Sequence, residues 1–147
     1  MKRNYLLLIF VLVFLAVLSG KLTAGMSFVG RLGIGFFYKQ FSFLKTWWQA
    51  ALIYFGSMIL VGILLYLIDK LLDGRKRKLI LLSLFLLSLA GLYFTYHDFR
   101  TNLTYRWLGE RFHLGIYLYW IGWCIISLFF ALTPKKQVVE AAPPTNE

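Results

Sequence analysis

The sequence predicts an all-α integral membrane protein: four transmembrane helices in an antiparallel bundle, with a Gly/Phe-rich interfacial segment after the first helix. Three observations carry that prediction. Hydrophobic residues make up 60% of the 147 and charged residues only 15%, against ~45–50% and ~25% in an ordinary soluble domain. The apolar residues gather into four runs, and the basic residues behind the net charge of +10 fall between them. Aromatic residues reach 19%, as expected where Trp and Tyr sit at the bilayer interface. A mean hydropathy of +0.70 excludes a disordered chain and an ordinary soluble globule.

The first apolar run, residues 5–18, follows Met-Lys-Arg-Asn. It is short for a span, and a signal-peptide core has the same outline. Small residues are poorly placed for cleavage in Ser19–Gly25, which favours a retained helix over about 4–22 with Lys21 reaching the headgroups. Residues 20–45 hold five glycines and five phenylalanines, broken by Arg31, Lys39 and Lys45. That mixture suits an interfacial segment with buried Phe and solvated cations. A loop packed over the bundle mouth is the alternative.

The next three runs are uncharged and of spanning length: 47–68, 79–96 and 114–132. About 20 apolar residues cross ~30 Å of hydrocarbon, and the backbone must bond to itself there, so each run is a helix. Residues 69–78 form a short basic loop and 97–113 a mixed one. Loops of this size favour antiparallel packing of neighbouring helices. Residues 1–132 are therefore read as one transmembrane domain, and 133–147, polar with two prolines, as a disordered cytoplasmic tail.

Basic residues set the orientation. With the N-terminal end inside, nine Lys and Arg lie inside and seven outside. The dense Arg75–Lys78 cluster decides the narrow margin. Both termini are expected in the cytoplasm, in a bacterial inner membrane. Charge confined between apolar runs marks topology and anionic lipid, so nucleic acid is not expected as a partner. The expected partners are the lipid bilayer and other membrane subunits or a second copy.

No run contains Asp, Glu, Lys, Arg or His. Such groups at membrane depth mark proton relays and ion pathways, so a coupled pump is not expected. No phosphate-binding loop, zinc-protease or nucleophile-elbow motif occurs, and no catalytic residue or metal ligand set is assigned. A single cysteine, Cys124, excludes an intrachain disulfide.

The remaining candidates are few. His97 and His113 bracket the third loop at one membrane face and are candidates for a haem or quinone contact. Arg75, Lys76, Arg77, Lys78, Arg100, Arg106, Trp107 and Arg111 are candidates for lipid or partner contact. Asn102-Leu103-Thr104 matches a glycosylation acceptor pattern. Small residues permit close approach of helices in lipid. Ser88, Gly91 and Thr95 on the third helix, and Cys124, Ser127 and Ala131 on the fourth, are therefore read as packing positions, with Gly56 and Gly62 thinning the second. The leading expectation is a non-enzymatic accessory or scaffold subunit of a larger membrane complex. The alternatives are a redox subunit using His97 and His113, and a lipid or small-solute carrier.

Overall fold

Hydrocarbon forces an apolar run into a helix, but nothing forces the helix to stop where the hydrocarbon does. The computed structural model describes residues 2–36, 43–72, 74–102 and 108–133, and in it every span outruns its apolar stretch. The helices are α1 (Lys2–Ala24), α2 (Phe28–Phe36), α3 (Trp47–Leu71), α4 (Gly74–Thr101) and α5 (Glu110–Leu132). Among the described residues there is no strand. Four helices are long and apolar enough to cross a membrane: α1 from Asn4, α3, α4 and α5, at 21, 25, 28 and 23 residues.

The largest extension is at α4. The basic run Arg75–Lys78 lies in its first turns rather than in a loop. Arg and Lys are good helix formers, and water at the headgroups does not stop a helix that lipid has nucleated. The reversal from α3 is abrupt. Leu72 ends α3 with its N–H donating to Ile68 O, and Gly74 takes φ +60, a left-handed conformation that glycine adopts without a Cβ clash.

The short helix α2 forms within the Gly/Phe-rich segment. Ser27 opens it, accepting the Gly30 N–H at 3.1 Å as a capping side chain does. Its Phe28, Val29, Leu32 and Phe36 are exposed. Two bonds hold its start against the bundle: Ser27 N–H to Leu108 O at 3.0 Å, and Arg31 Nη2 to Ala24 O at 2.8 Å. The second satisfies a carbonyl that the end of α1 leaves open.

Packing departs from the expected order of neighbours. α1 lies against both α3 and α5; α4 lies against α5; α3 meets α5 over a shorter length. α3 and α4, joined by the tightest turn, barely touch. The reason is side-chain size. α3 turns Ala50, Ala51, Tyr54, Met58, Val61 and Leu65 inward, and its first turns meet α1 almost backbone to backbone. A Cβ added to Gly20 would lie 2.7 Å from both Ala51 N and Trp47 O. Gly115 of α5 is closed the same way, with Ser19 O at 2.8 Å. α4 buries only Arg77, Leu81, Ser88 and Phe99, and α5 receives that stripe.

Candidate functional site

Among the described residues, sequence-predicted polar side chains gather at the end of the bundle near Arg77, along the α4–α5 seam, and at the opposite end near His113. Residues 134–147, with the expected tail, lie outside the described residues, as do Arg106 and Trp107.

Arg77 differs from its three basic neighbours. Arg75, Lys76 and Lys78 are exposed, whereas Arg77 is 6% exposed. Its Nε donates to Asp69 Oδ1 at 2.6 Å. Its Nη2 donates to Phe130 O at 3.0 Å and to Thr133 O at 2.8 Å. One guanidinium thus ties the last turn of α3, the first turn of α4 and the end of α5. Its planar fork of donors suits three acceptors at once. The positive charge also sits at the negative end of the α5 dipole and offsets Asp69, an acid in the disfavoured last turn of α3.

The α4–α5 seam runs antiparallel. From the His113 end, Phe99 stacks on His113 with centroids 4.3 Å apart, and Tyr96 meets Tyr117 at 6.0 Å. Trp120 Nε1 then donates to Thr95 Oγ1 at 3.0 Å, and Ser88 Oγ lies 3.1 Å from Cys124 Sγ. Gly91 is the recess that takes the Trp120 ring: a Cβ there would stand 2.5 Å from two ring carbons. On α4 the contact positions 77, 81, 84, 88, 91, 95 and 99 step by three and four, the spacing of a supercoiled seam. Ser88, Gly91, Thr95 and Cys124 therefore meet in one interface. Ser127 is buried at 2% exposure, and Ala131 is exposed.

The two histidines occupy different surroundings. His113 sits in the seam between Phe99, Phe112 and the rest of α5. His97 is exposed, with its ring 6.4 Å from that of Tyr93. At about 100° per residue, His97 lies some 200° around α4 from the buried Phe99. A pair of axial ligands needs both rings aimed at one point, and the α4 geometry sends them to opposite sides. No group of three or more His, Cys, Asp or Glu that could hold a metal forms among the described residues. Arg100 is exposed and lays its guanidinium over the Tyr96 ring at 5.2 Å. Exposed Arg111 runs its side chain past Gly25, and Lys21 Nζ stands 5.7 Å over Trp47. These cations crown the His113 end without converging on one point.

Two features were hidden from sequence reasoning. One is the small-residue face of α1, where the Ser19 hydroxyl donates to Gly115 O and Thr23 Oγ1 bonds Ser19 O at 3.0 Å. Its signal was the recurrence of Ala16, Gly20 and Ala24 every fourth residue, beside Ser19 and Thr23. The other is an aromatic group between α3 and α5. Tyr54 and Tyr119 lie 5.1 Å apart, and Trp123 lies 5.8 Å from Tyr119. Trp123 Nε1 is buried with no hydrogen-bond partner among the described residues, and the buried Tyr54 hydroxyl lies against Thr23. Thr23, beside Tyr54, directs its own hydroxyl to Ser19 O and Gly20 O.

Compared with known protein families, curated proteins and solved structures, the chain matches none, so its function is argued from its own residues.

Proposed function

We propose that this chain is a multi-pass, non-enzymatic accessory or scaffold subunit of a larger membrane complex. Its seat is a bacterial inner membrane, with the Arg77 end of the bundle facing the cytoplasm. One observation carries the reading: buried polar side chains are largely used in joints between helices. Arg77, the one buried ionised side chain among the described residues, spends its donors on Asp69, Phe130 and Thr133. Ser19, Ser88 and Trp120 each tie one helix to another. Functional intramembrane ionisable groups face a cavity or a pathway; this one faces a joint. Orientation is supported by Arg75, Lys76 and Lys78, exposed at the Arg77 end, where anionic lipid attracts each by about 1 kcal/mol.

Affinity purification of the intact chain in mild detergent tests the assignment. A different membrane polypeptide in fixed ratio is the expected result. A chain that purifies without one, and moves lipid or solute in liposomes, overturns it. Reporters fused after residue 133 and within 103–107 test orientation. The first should read cytoplasmic and the second external.

A second reading, carriage of a lipid or small solute, draws support from the Trp123 N–H. It is a buried donor without an acceptor among the described residues, a costly state at membrane depth that a ligand carbonyl or ether oxygen would relieve. Carriage requires that Trp123→Phe slow transfer in liposomes while the protein stays folded. The redox reading has weaker support, because His97 and His113 leave α4 and α5 in different directions; a Soret band in the purified protein would restore it.

A further inference from the structure

The cations at the His113 end are not held alike. Lys21 and Arg100 each lie over a ring, that of Trp47 and that of Tyr96. Arg31 and Arg111 instead bring their side chains to one peptide, Ala24–Gly25, at the end of α1. Arg31 Nη2 donates to Ala24 O at 2.8 Å, and Arg111 Cδ stands 3.4 Å from where a Gly25 Cβ would be. The fold makes this meeting. Ser27 N–H bonds Leu108 O at 3.0 Å, and a Cβ on Gly30 would lie 3.1 Å from Leu108 Cα. The start of α2 is thereby pinned to the residues that lead into α5, and Arg31 and Arg111 directly follow that junction.

Two guanidinium groups are more than the end of α1 needs. Ala24 O takes a single donor from Arg31, and a guanidinium carries several. Arg111 makes no hydrogen bond or ion pair with the described residues. Both side chains are exposed. Glu110 starts α5 about 100° around the helix from Arg111, and it pairs with neither arginine. Depth is set by α1. Its 21 residues from Asn4 to Ala24 rise about 31 Å, the thickness of the hydrocarbon, so Ala24 stands at the level of the lipid phosphates. Beside Arg31, α2 leaves the apolar side chains of Phe28 and Leu32 exposed.

We propose that Arg31 and Arg111 hold the phosphate of one anionic phospholipid from the leaflet at the His113 end, with its acyl chains against Phe28 and Leu32 of α2. A guanidinium presents parallel N–H groups that match phosphate oxygens. Two of them at one peptide offer a phosphodiester donors from two helices. The lipid's negative charge complements two cations that no carboxylate neutralises among the described residues. A bound lipid then links α2 to α5 alongside the Ser27–Leu108 bond. The site requires the chain in a membrane but not the accessory role.

Native mass spectrometry of the full chain in mild detergent, titrated with phosphatidylglycerol, tests it. One lipid should be retained more tightly than those that follow. Arg111→Gln should weaken binding of that first lipid about five-fold, the attraction of one cation near an anionic lipid surface. Arg31→Gln with Arg111→Gln should weaken it about twenty-five-fold, the two effects adding in free energy. Lys76→Gln with Lys78→Gln removes the same charge at the far end of the bundle, well beyond the screening length, and should change it less than about two-fold. Arg111→Lys keeps the charge without the fork of donors and should restore only part of the binding. Arg111→Gln breaks no hydrogen bond among the described residues, so unchanged thermal unfolding assigns its effect to the lipid. Arg31→Gln also loses the bond to Ala24 O, and the single Arg111 variant carries the test if the double variant does not fold. Equal losses from the two double variants would show attraction to net charge alone and overturn the site. Displacement of the lipid by inorganic phosphate would make a free phosphate the ligand and overturn it as well. Either result leaves the accessory role standing, because that is read from a co-purified polypeptide.

Discussion

α1 and α4 are both membrane-length helices packed on α5, yet they are held in opposite ways. Beyond the buried Leu8, Leu12 and Leu15, the second half of α1 is held by small residues. Ala16, Ser19, Gly20, Thr23 and Ala24 are all buried, Gly20 meets the α3 backbone, and the Ser19 hydroxyl reaches Gly115 O. α4 is held by large ones: Trp120 fills the Gly91 recess, and Phe99 stacks on His113. In lipid no hydrophobic drive separates these solutions, and close packing with a few hydrogen bonds must supply the association. The contrast teaches that the two interfaces have different tolerances. Where backbone faces backbone nothing can yield; where a ring faces a glycine, the ring can turn.

The sharpest way to break the contrast is to add volume on each side. Gly20→Leu should cost about 3 kcal/mol or more, because the atoms it meets are Ala51 N and Trp47 O, which cannot rotate away. Thermal unfolding in detergent reads this, and a loss no larger than that of Gly91→Leu would erase the distinction. Arg77→Gln should come next, at about 3 kcal/mol, since it leaves Asp69 without its partner and uncaps α5 at once. Lys76→Gln, at an exposed neighbour, should cost less than about 0.5 kcal/mol. Equal losses from the two variants would show that Arg77 is an ordinary headgroup charge.

Smaller effects sharpen the comparison. Gly91→Ala should cost about 1–2 kcal/mol by overpacking against Trp120. Most of that loss should vanish in Gly91→Ala with Trp120→Leu, a coupling a double-mutant cycle measures. Full additivity would mean that the ring does not occupy the recess. Thr95→Val is the mildest change. It removes only the acceptor for Trp120 Nε1, and a transmembrane hydrogen bond of this kind averages about 0.6 kcal/mol.

The number and position of the spans were legible because hydrocarbon tolerates little but an apolar helix; runs 47–68, 79–96 and 114–132 lie within α3, α4 and α5. Their ends were less legible, since a helix started in lipid continues through Arg75–Lys78 and through His97–Thr101 at no great cost. Pairing was hardest. A helix apolar all round carries no polar face to say which side turns inward, so the information lies in side-chain size. Ser88, Gly91, Thr95 and Cys124 gave that signal for α4 and α5. The equivalent signal in Ala16–Ala24 was obscured because a short apolar run after two basic residues also fits an export signal. Arg77 could not be told from Arg75 by composition. Only the turn at Gly74, with Asp69 eight residues earlier, brings that one guanidinium inward.

The near absence of contact between α3 and α4 also sets an order of events during synthesis. α4 leaves the ribosome before α5 exists, and α3, though joined to it by a tight turn, offers little surface to dock on. At about 5–20 residues per second, α4 waits for its seam on the order of seconds, in lipid or beside the insertion machinery, while α1 and α3 can already close on each other through Gly20. Assembly is then gated by the last span: α5 arrives, inserts between α1 and α4, and brings the carbonyls of Phe130 and Thr133 to Arg77 only when nearly all of the described chain has been made.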